Sequence, residues 1–224
     1  MKVFTLALIT VTLYACSANK HLTGDYEKYA NKHSTVAVLP YDITIIGKEA
    51  RELSPEELDE IILDESELFQ ESLYAEILKR TGARDKDIHI SVQDVRKTNR
   101  LLAEADIDGL NIGEYSSGEL GKILGVDAVV STKLIKEGFL NREVALIAEI
   151  LTEGITLPNP ILYSDKRKMT RTSKVDVYAY ILDTESESAI WQYDTECDLR
   201  WDSEPSEVIE NINGRISKKF PYRK

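Results

Sequence analysis

The sequence predicts an α/β (α+β) fold, with a single mixed β-sheet covered by helices, a C-terminal antiparallel hairpin and a closing helix. Three observations predict it. A short apolar run is typical of a buried strand, two capping boxes begin helices, and the last third alternates between apolar and polar residues. Residues 35–224 are long enough for one α/β domain with a sizeable core, interrupted by a variable insertion at residues 139–170.

The first predicted strand is a short apolar run that Pro40 ends. It consists of Val36, Ala37, Val38 and Leu39. The clearest helix follows, because Ser54 can cap its first turn, Pro55 suits its first position and Glu57 completes a capping box. Gly82 is its expected stop. Its apolar residues have a spacing near 3.6 and form one stripe: Leu58, Ile61, Ile62, Phe69, Leu73 and Ile77.

A second capping box, formed by Ser116 and Glu119, predicts a short helix that Gly125 ends. The elements around it are predicted from alternation and apolar spacing. They are strands at residues 88–92 and 127–135 and a helix at residues 94–104. The order β-α-β-α-α-β that results is typical of an α/β protein.

The last third of the sequence predicts a hairpin with one solvent-exposed face. Its strands, at residues 175–182 and 189–198, flank a turn at residues 183–187. A closing amphipathic helix is expected at residues 203–220, and Pro221 ends it. The hairpin region is rich in aromatic residues: Tyr178, Tyr180, Trp191, Tyr193 and Trp201. We interpret them as pairs that stabilise the sheet, and stacking on a glycan or partner is the alternative.

The insertion at residues 139–170 carries apolar residues that can form a short amphipathic helix. Four of them define a candidate partner surface: Phe139, Val144, Ile147 and Leu151. The alternative is a helix that packs on its own domain, since apolar stripes usually face a core. Pro158 and Pro160 predict an extended or turning path after it.

The N-terminus predicts a lipoprotein. Lys2 precedes an uncharged apolar run that is too short to span a bilayer, as in a secretory signal. The run ends in Leu13-Tyr14-Ala15-Cys16, which resembles a lipobox. We therefore expect a signal peptide at residues 1–15, a lipid on Cys16 and a flexible tether at residues 16–34. An ordinary signal peptide, or a buried first strand with an incidental cysteine, is the alternative.

Charge and cysteine content argue against a nucleic-acid-binding protein and against a disulfide-stabilised scaffold. Removal of the signal peptide takes away only Lys2, so the net charge moves from −11 to −12, which argues against a nucleic-acid partner. The densest basic cluster, Lys166, Arg167 and Lys168, is interpreted as a solvated loop. Of the two cysteines, Cys197 has no disulfide partner once Cys16 is acylated, so a reduced thiol on a strand is expected.

The sequence contains none of the common catalytic signatures, such as GxSxG, a P-loop, HExxH or CxxC. His21 and His33 fall in the expected tether and His89 falls on a predicted strand, so we expect no metal site and no cofactor. The loop from Asp106 lacks the spacing of a calcium site. We interpret the acidic residues of the first long helix as its solvent face: Glu56, Glu57, Asp59, Glu60, Asp64, Glu65 and Glu67.

Three segments together resemble a known group of envelope domains. They are residues 36–40, residues 119–130, which lead through Gly125-Val126-Asp127 into a strand, and the hairpin with Trp191. They are similar to the domain shared by the curli secretion lipoprotein CsgG, the N-terminal domain of TolB and related envelope lipoproteins. The similarity spans residues 35–220 with a gap at residues 139–170, and its motifs are fold signatures.

The resemblance implies a lipid-anchored envelope protein that binds or assembles with other envelope proteins, a homo-oligomer among the options. Together with the missing catalytic signatures, it predicts a non-enzymatic component of an envelope secretion or assembly complex. We expect it at the outer membrane, facing the periplasm. An envelope ligand-binding or hydrolytic protein with an unrecognised site is the alternative, and a polar pocket with a hydrogen-bonded nucleophile and base would favour it.

Overall fold

A computed structural model describes residues 18–47, 53–82, 87–137, 173–199 and 205–222. The strands of this part are β1 (Ala18–Leu22), β2 (Thr35–Val38), β3 (Asp42–Ile46), β4 (Ser91–Val92), β5 (Ala128–Glu137), β6 (Ser173–Asp183) and β7 (Ala189–Leu199). The α-helices are α1 (Tyr26–Ala30), α2 (Pro55–Leu78), α3 (Val95–Ala103), α4 (Ser117–Leu124) and α5 (Pro205–Lys219).

All seven described strands form one mixed sheet in the order β1-β7-β6-β5-β2-β4, with β3 also paired to β5. β2 and β3 run parallel to β5, whereas β6, β7 and β1 follow one another in antiparallel pairs. The predicted fold class is therefore confirmed, including the C-terminal hairpin and the helix after it.

Helices cover both faces of the sheet. The larger cluster of buried side chains lies between one face and helices α2 and α5, and includes Phe69, Leu73 and Ile216. A smaller cluster lies on the other face under α3 and α4, and includes Leu102 and Leu120. The central strand β5 contributes to both, because its successive side chains point to opposite faces.

One extra residue between Val38 and Asp42, a stretch that includes Pro40, joins β2 to β3. Val38 pairs with Val130 and Asp42 pairs with Lys133, so four steps on one chain oppose three on β5. The inserted residue changes which side chains face the larger cluster, because the side-chain period of a strand is two. In β2 these are even-numbered residues, Val36 and Val38; beyond the bulge they are odd-numbered: Tyr41, Ile43 and Ile45.

Polar side chains of α2 complete the backbone hydrogen bonds at this bulge. Buried Gln70 donates to the carbonyl of Val38 at 2.8 Å, and buried Ser66 donates to that of Tyr41 at 2.7 Å. Gly109 lies against Ser66, where a Cβ would stand only 2.4 Å from the hydroxyl oxygen. The buried polar residues of α2 thus satisfy groups that a kinked strand leaves without ladder partners.

Both predicted capping boxes are confirmed. Ser54 accepts from the amide of Glu57, and Ser116 accepts from that of Glu119, each at 3.2 Å, while each glutamate accepts from its serine's amide. These hydrogen bonds lower the pKa of both glutamates. Gly125 ends α4 at φ 66°, as the sequence predicted.

Two predicted boundaries were wrong. Helix α2 ends at Leu78, before Gly82, because the chain turns there and the Gly82 amide bonds to the carbonyl of Ile88. The strand predicted at residues 88–92 is reduced to Ser91 and Val92, and Ile88 makes only an isolated bridge to Thr81. The alternation of that segment was therefore a weak strand signal.

The flexible tether expected at residues 16–34 was also wrong for its described part. Residues 18–22 form β1, which pairs with β7 over five positions, and α1 follows before the chain enters β2. The strand is exposed on the sheet edge, so backbone pairing stabilises it without a pattern of buried side chains. The folded part of the chain therefore begins by Ala18, well before residue 35.

Candidate functional site

The residues predicted to carry function lie outside the described parts of the chain. They are Cys16 and the candidate partner surface of Phe139, Val144, Ile147 and Leu151. The described residues next to both regions belong to the same sheet, at the start of β1 and at the end of β5 with the start of β6.

Strand β1 begins at Ala18, two residues after Cys16, and occupies the edge of the sheet. Its register places Ala18 opposite Thr195 and Leu22 opposite Trp191. The Asn19 amide group also donates to the Asp194 carboxylate at 3.0 Å. The N-terminal end of the folded chain is therefore held to β7 by a defined register.

The insertion leaves the sheet at the end toward which the start of β1 points. Residues 138–172 connect Glu137, the last residue of β5, to Ser173, the first residue of β6. Near this end Lys136 pairs with Val175 and Val175 pairs with Cys197. Because β1 and β6 both run antiparallel to β7, their first residues point to the end at which β7 finishes.

A buried polar cluster lies at the opposite end of the sheet, and it was not predicted. The two ring nitrogens of His33 contact Tyr222 Oη at 2.6 Å and Asp183 Oδ1 at 2.7 Å. Asp183 Oδ2 accepts from the amide and hydroxyl of Ser186, each at 2.6 Å. The cluster joins three regions: the approach to β2, the end of β6 and the chain after α5.

Tyr222 is fixed by both its backbone and its ring. Its φ is 62°, an unusual value for a residue with a side chain. Its amide donates to Tyr26 Oη at 2.8 Å and its carbonyl accepts from the His89 amide at 2.8 Å. Its ring also packs against that of Phe220. These contacts explain how the left-handed conformation is maintained.

The cluster has the hydrogen-bond order of a nucleophile, a base and an orienting carboxylate. A carboxylate only accepts, so His33 Nε2 donates to Asp183, and Nδ1 of a neutral ring accepts from the Tyr222 hydroxyl. Although burial opposes it, hydrogen bonds from Ser186 and His33 lower the pKa of Asp183. Burial raises the pKa of Tyr222, which keeps its hydroxyl protonated.

The solvent exposure of these side chains determines whether a substrate can reach the cluster. The side chains of His33 and Asp183 are 2% and 5% exposed, and Tyr222 is 8% exposed as a residue. A hydrolytic group must reach its substrate, and a nucleophile must be activated by a lowered pKa or an effective base. The burial and the raised pKa of Tyr222 favour a structural link between three chain segments.

A buried ion pair corrects the interpretation of the acidic face of α2. Glu65 is 5% exposed, and its Oε1 lies 2.8 Å from Nζ of Lys136, which is 7% exposed on β5. Glu65 is therefore part of the protein interior, in contrast to the exposed Glu56, Glu57 and Glu67. Lys136 lies one residue from the end of β5, so the pair lies beside the exit of the insertion.

The absence of a metal site stays a prediction from the sequence. Within the described ranges, no three His, Cys, Asp or Glu residues are grouped so as to hold a metal ion. The loop carboxylate of Asp108 accepts from the amide of Leu110 at 2.8 Å, and Asn111 donates to the carbonyl of Asp106 at 2.9 Å. These are hydrogen bonds of a polar turn.

The hairpin side chains are mainly core residues. Cys197 is a buried thiol on β7, as predicted. Trp191 and Tyr193 are 0% and 2% exposed, and their rings stack with centroids 6.2 Å apart. These two aromatic residues, neighbours on one face of β7, are therefore part of the buried core, whereas Trp201 lies outside the described residues. None of the described helices has the length and apolar character that crossing a bilayer requires.

Comparison with known proteins identifies no family. No family of proteins matches the sequence, and no curated protein matches it. Several solved structures, including the following three, have weak similarity. The PelC dodecamer from Paraburkholderia phytofirmans is 9% identical with a TM-score of 0.41, over 92% of this chain and 97% of that chain.

Lipoprotein GNA1162 from Neisseria meningitidis is 11% identical with a TM-score of 0.38, over 82% of this chain and 94% of that chain. A PDZ domain protein from Parabacteroides distasonis is 13% identical with a TM-score of 0.41, over 93% of this chain and 36% of that chain. At these TM-scores the similarities carry no argument about function. The resemblance to CsgG and TolB domains stays a prediction from the sequence.

Proposed function

We propose that this chain is a lipid-anchored protein of the cell envelope with a non-catalytic role in binding or assembly. The observation that carries the proposal is the lipobox-like Leu13-Tyr14-Ala15-Cys16 at the end of an apolar, uncharged run. A diacylated and N-acylated cysteine would hold a domain at a membrane, since each buried methylene contributes about 0.8 kcal/mol. The expected site is the outer membrane, with the domain in the periplasm.

The partners that we propose are other envelope proteins or further copies of this chain. The apolar residues of the insertion, among them Val144 and Ile147, are the proposed contact surface. The position of the insertion supports this role, because a long connection between neighbouring strands β5 and β6 is not needed to join them. A long connection of this kind is often functional.

The anchor is tested by substitution of the acylated residue. In the native host, Cys16→Ala is expected to abolish incorporation of labelled palmitate and to release the protein from the membrane fraction. Cys197→Ala is the matched control, because it removes the other thiol and leaves the lipobox intact. Membrane retention of the Cys16→Ala protein would refute the proposal.

The hydrolytic alternative has one specific observation in its favour, the hydrogen-bonded order Tyr222, His33, Asp183. It predicts that the purified protein cleaves a small activated ester and that Tyr222→Phe abolishes the cleavage. We expect the two proteins to cleave such an ester equally slowly, because the cluster is buried. A Tyr222-dependent rate would favour the alternative.

A further inference from the structure

We infer that the lipid on Cys16 holds the domain with the β1 edge of the sheet against the membrane. The inference rests on the proposed lipidation and adds an orientation to it. The ligand of this edge is a phospholipid surface. The distance between the acylated residue and the folded chain carries the argument.

Only Ser17 separates Cys16 from Ala18. Two residues of fully extended chain span at most about 7 Å, so the acylated Cα lies within that distance of the Ala18 Cα. The glyceryl group on the sulfur must lie at the headgroup level of the bilayer. The surface of the membrane is therefore close to the first residue of β1, whichever direction Ser17 takes.

Strand β1 is attached firmly enough to transmit this constraint. Its five residues pair with β7, and both the amide and the hydroxyl of Thr23 donate to the carbonyl of Ile190 at 3.2 Å. The chain then turns through α1, whose Tyr26 is bonded to the Tyr222 amide. The segment after Cys16 thus has hydrogen-bonded contacts at both of its ends, unlike a freely moving linker.

The sheet register shows which parts of the domain lie far from the start of β1. Ala18 is level with Thr195 and Val177, and six residues separate Val177 from Asp183 at the other end of β6. That distance is about 20 Å. Across the sheet, five strand intervals separate β1 from β4, or about 24 Å. The buried His33 cluster and helix α3 therefore lie on the distant sides.

Site-directed fluorescence quenching on vesicles tests the orientation. The acylated full-length protein, with Cys197→Ala, is labelled separately at Lys20→Cys on β1, Lys97→Cys on α3 and Glu185→Cys beyond β6; all three native residues are exposed. Each protein is reconstituted into phosphatidylethanolamine and phosphatidylglycerol vesicles that carry headgroup nitroxides. Quenching at residue 20 is expected to exceed quenching at the other two by about twofold or more, since those sites lie about 20 Å farther away.

A flexible linker gives the matched control. Insertion of about sixteen Gly and Ser residues between Ser17 and Ala18, with an r.m.s. span of about 22 Å, should reduce the difference among the three sites. Equal quenching of the three sites without the linker would overturn the orientation while flotation with the vesicles upheld the anchor. A protein that fails to float would overturn the anchor itself, and the orientation with it.

Discussion

Asp183 and Asp127 show how single side chains join distant parts of this chain. Asp183 accepts from His33 and Ser186, and Asp127 accepts from Ser34 at 2.8 Å and 2.7 Å. Although burial opposes the shift, hydrogen bonds lower the pKa of both carboxyl groups. Their charged forms therefore stabilise the folded state.

The lowered pKa values predict a loss of stability in acid. A carboxyl group whose pKa is lower in the folded state stabilises it fully above the unfolded pKa of about 4, and this contribution disappears as the pH falls through the folded pKa. The free energy of unfolding should therefore decrease between about pH 5 and pH 2. Urea unfolding at several pH values across this range gives the free energy of unfolding as a function of pH. This free energy should depend less steeply on pH in Asp183→Asn than in the unsubstituted protein. An unchanged slope would contradict the role of Asp183.

Tyr222→Phe tests the His33 cluster as a structural link. The substitution keeps the ring contacts but leaves the buried Nδ1 of His33 without its phenol partner. A buried polar atom without a partner costs about 1–3 kcal/mol. Thermal unfolding should show this loss, whereas Tyr178→Phe, at a half-buried position of β6, should change the stability little. Equal effects of the two substitutions would argue against the link.

The Glu65–Lys136 pair predicts a different outcome. Lys136→Met leaves the Glu65 carboxylate in the interior without its ammonium group, so we expect a loss of about 3 kcal/mol or more in urea unfolding. The double variant Glu65→Gln with Lys136→Met should regain part of this loss, because no buried charge is then uncompensated. A double variant less stable than Lys136→Met would contradict this account.

The helices and strands differ in whether the sequence alone predicts them. Helices α2 and α4 and the β6–β7 hairpin were predictable because their signals are local: capping residues, Gly125 and strict alternation. Strand β1 was not, because its residues are exposed and its stability comes from pairing with β7, more than 160 positions later. The bulge at Pro40 also depends on register with β5.

The bulge gives the clearest test at this scale. Deletion of Pro40 would turn the side chains of Tyr41, Ile43 and Ile45 away from the larger cluster. Each buried side chain of this size contributes about 1.5–3 kcal/mol, so the loss approaches the whole stability of a domain. We expect no soluble folded protein by circular dichroism. Pro40→Ala, which keeps the number of residues, should still fold. A folded deletion variant would refute the claim that the extra residue determines which side chains face the larger cluster.

The candidate site was only partly accessible to sequence reasoning. His33 lies 150 residues from Asp183 and 189 from Tyr222, and no short motif can relate positions so far apart. A histidine in a segment of mixed polar composition gave no sign of burial. Cys16 could be proposed from sequence alone because its signal is a contiguous stretch that a peptidase reads before folding.

At the scale of the whole molecule, the insertion should be separable from the fold. Lys136 pairs with Val175, which puts Glu137 opposite Lys174, so a two-residue Asn-Gly turn can replace residues 138–173 and still join β5 to β6 in register. We expect the far-UV circular dichroism of the sheet to persist and co-purification of envelope partners to be lost. Val144→Ser with Ile147→Ser is the smaller change that should give the same result. Partners that persist in both variants would place the contact surface elsewhere.

The pairing of β1 with β7 limits the reach that the proposed lipid anchor would give this protein. A lipoprotein with a long flexible linker can meet targets at a distance set by that linker, whereas here the described fold starts two residues after Cys16. A domain of this size is about 40 Å across. An anchor on Cys16 would therefore confine the domain to a layer of about that thickness above the bilayer, and any more distant target would have to approach the membrane.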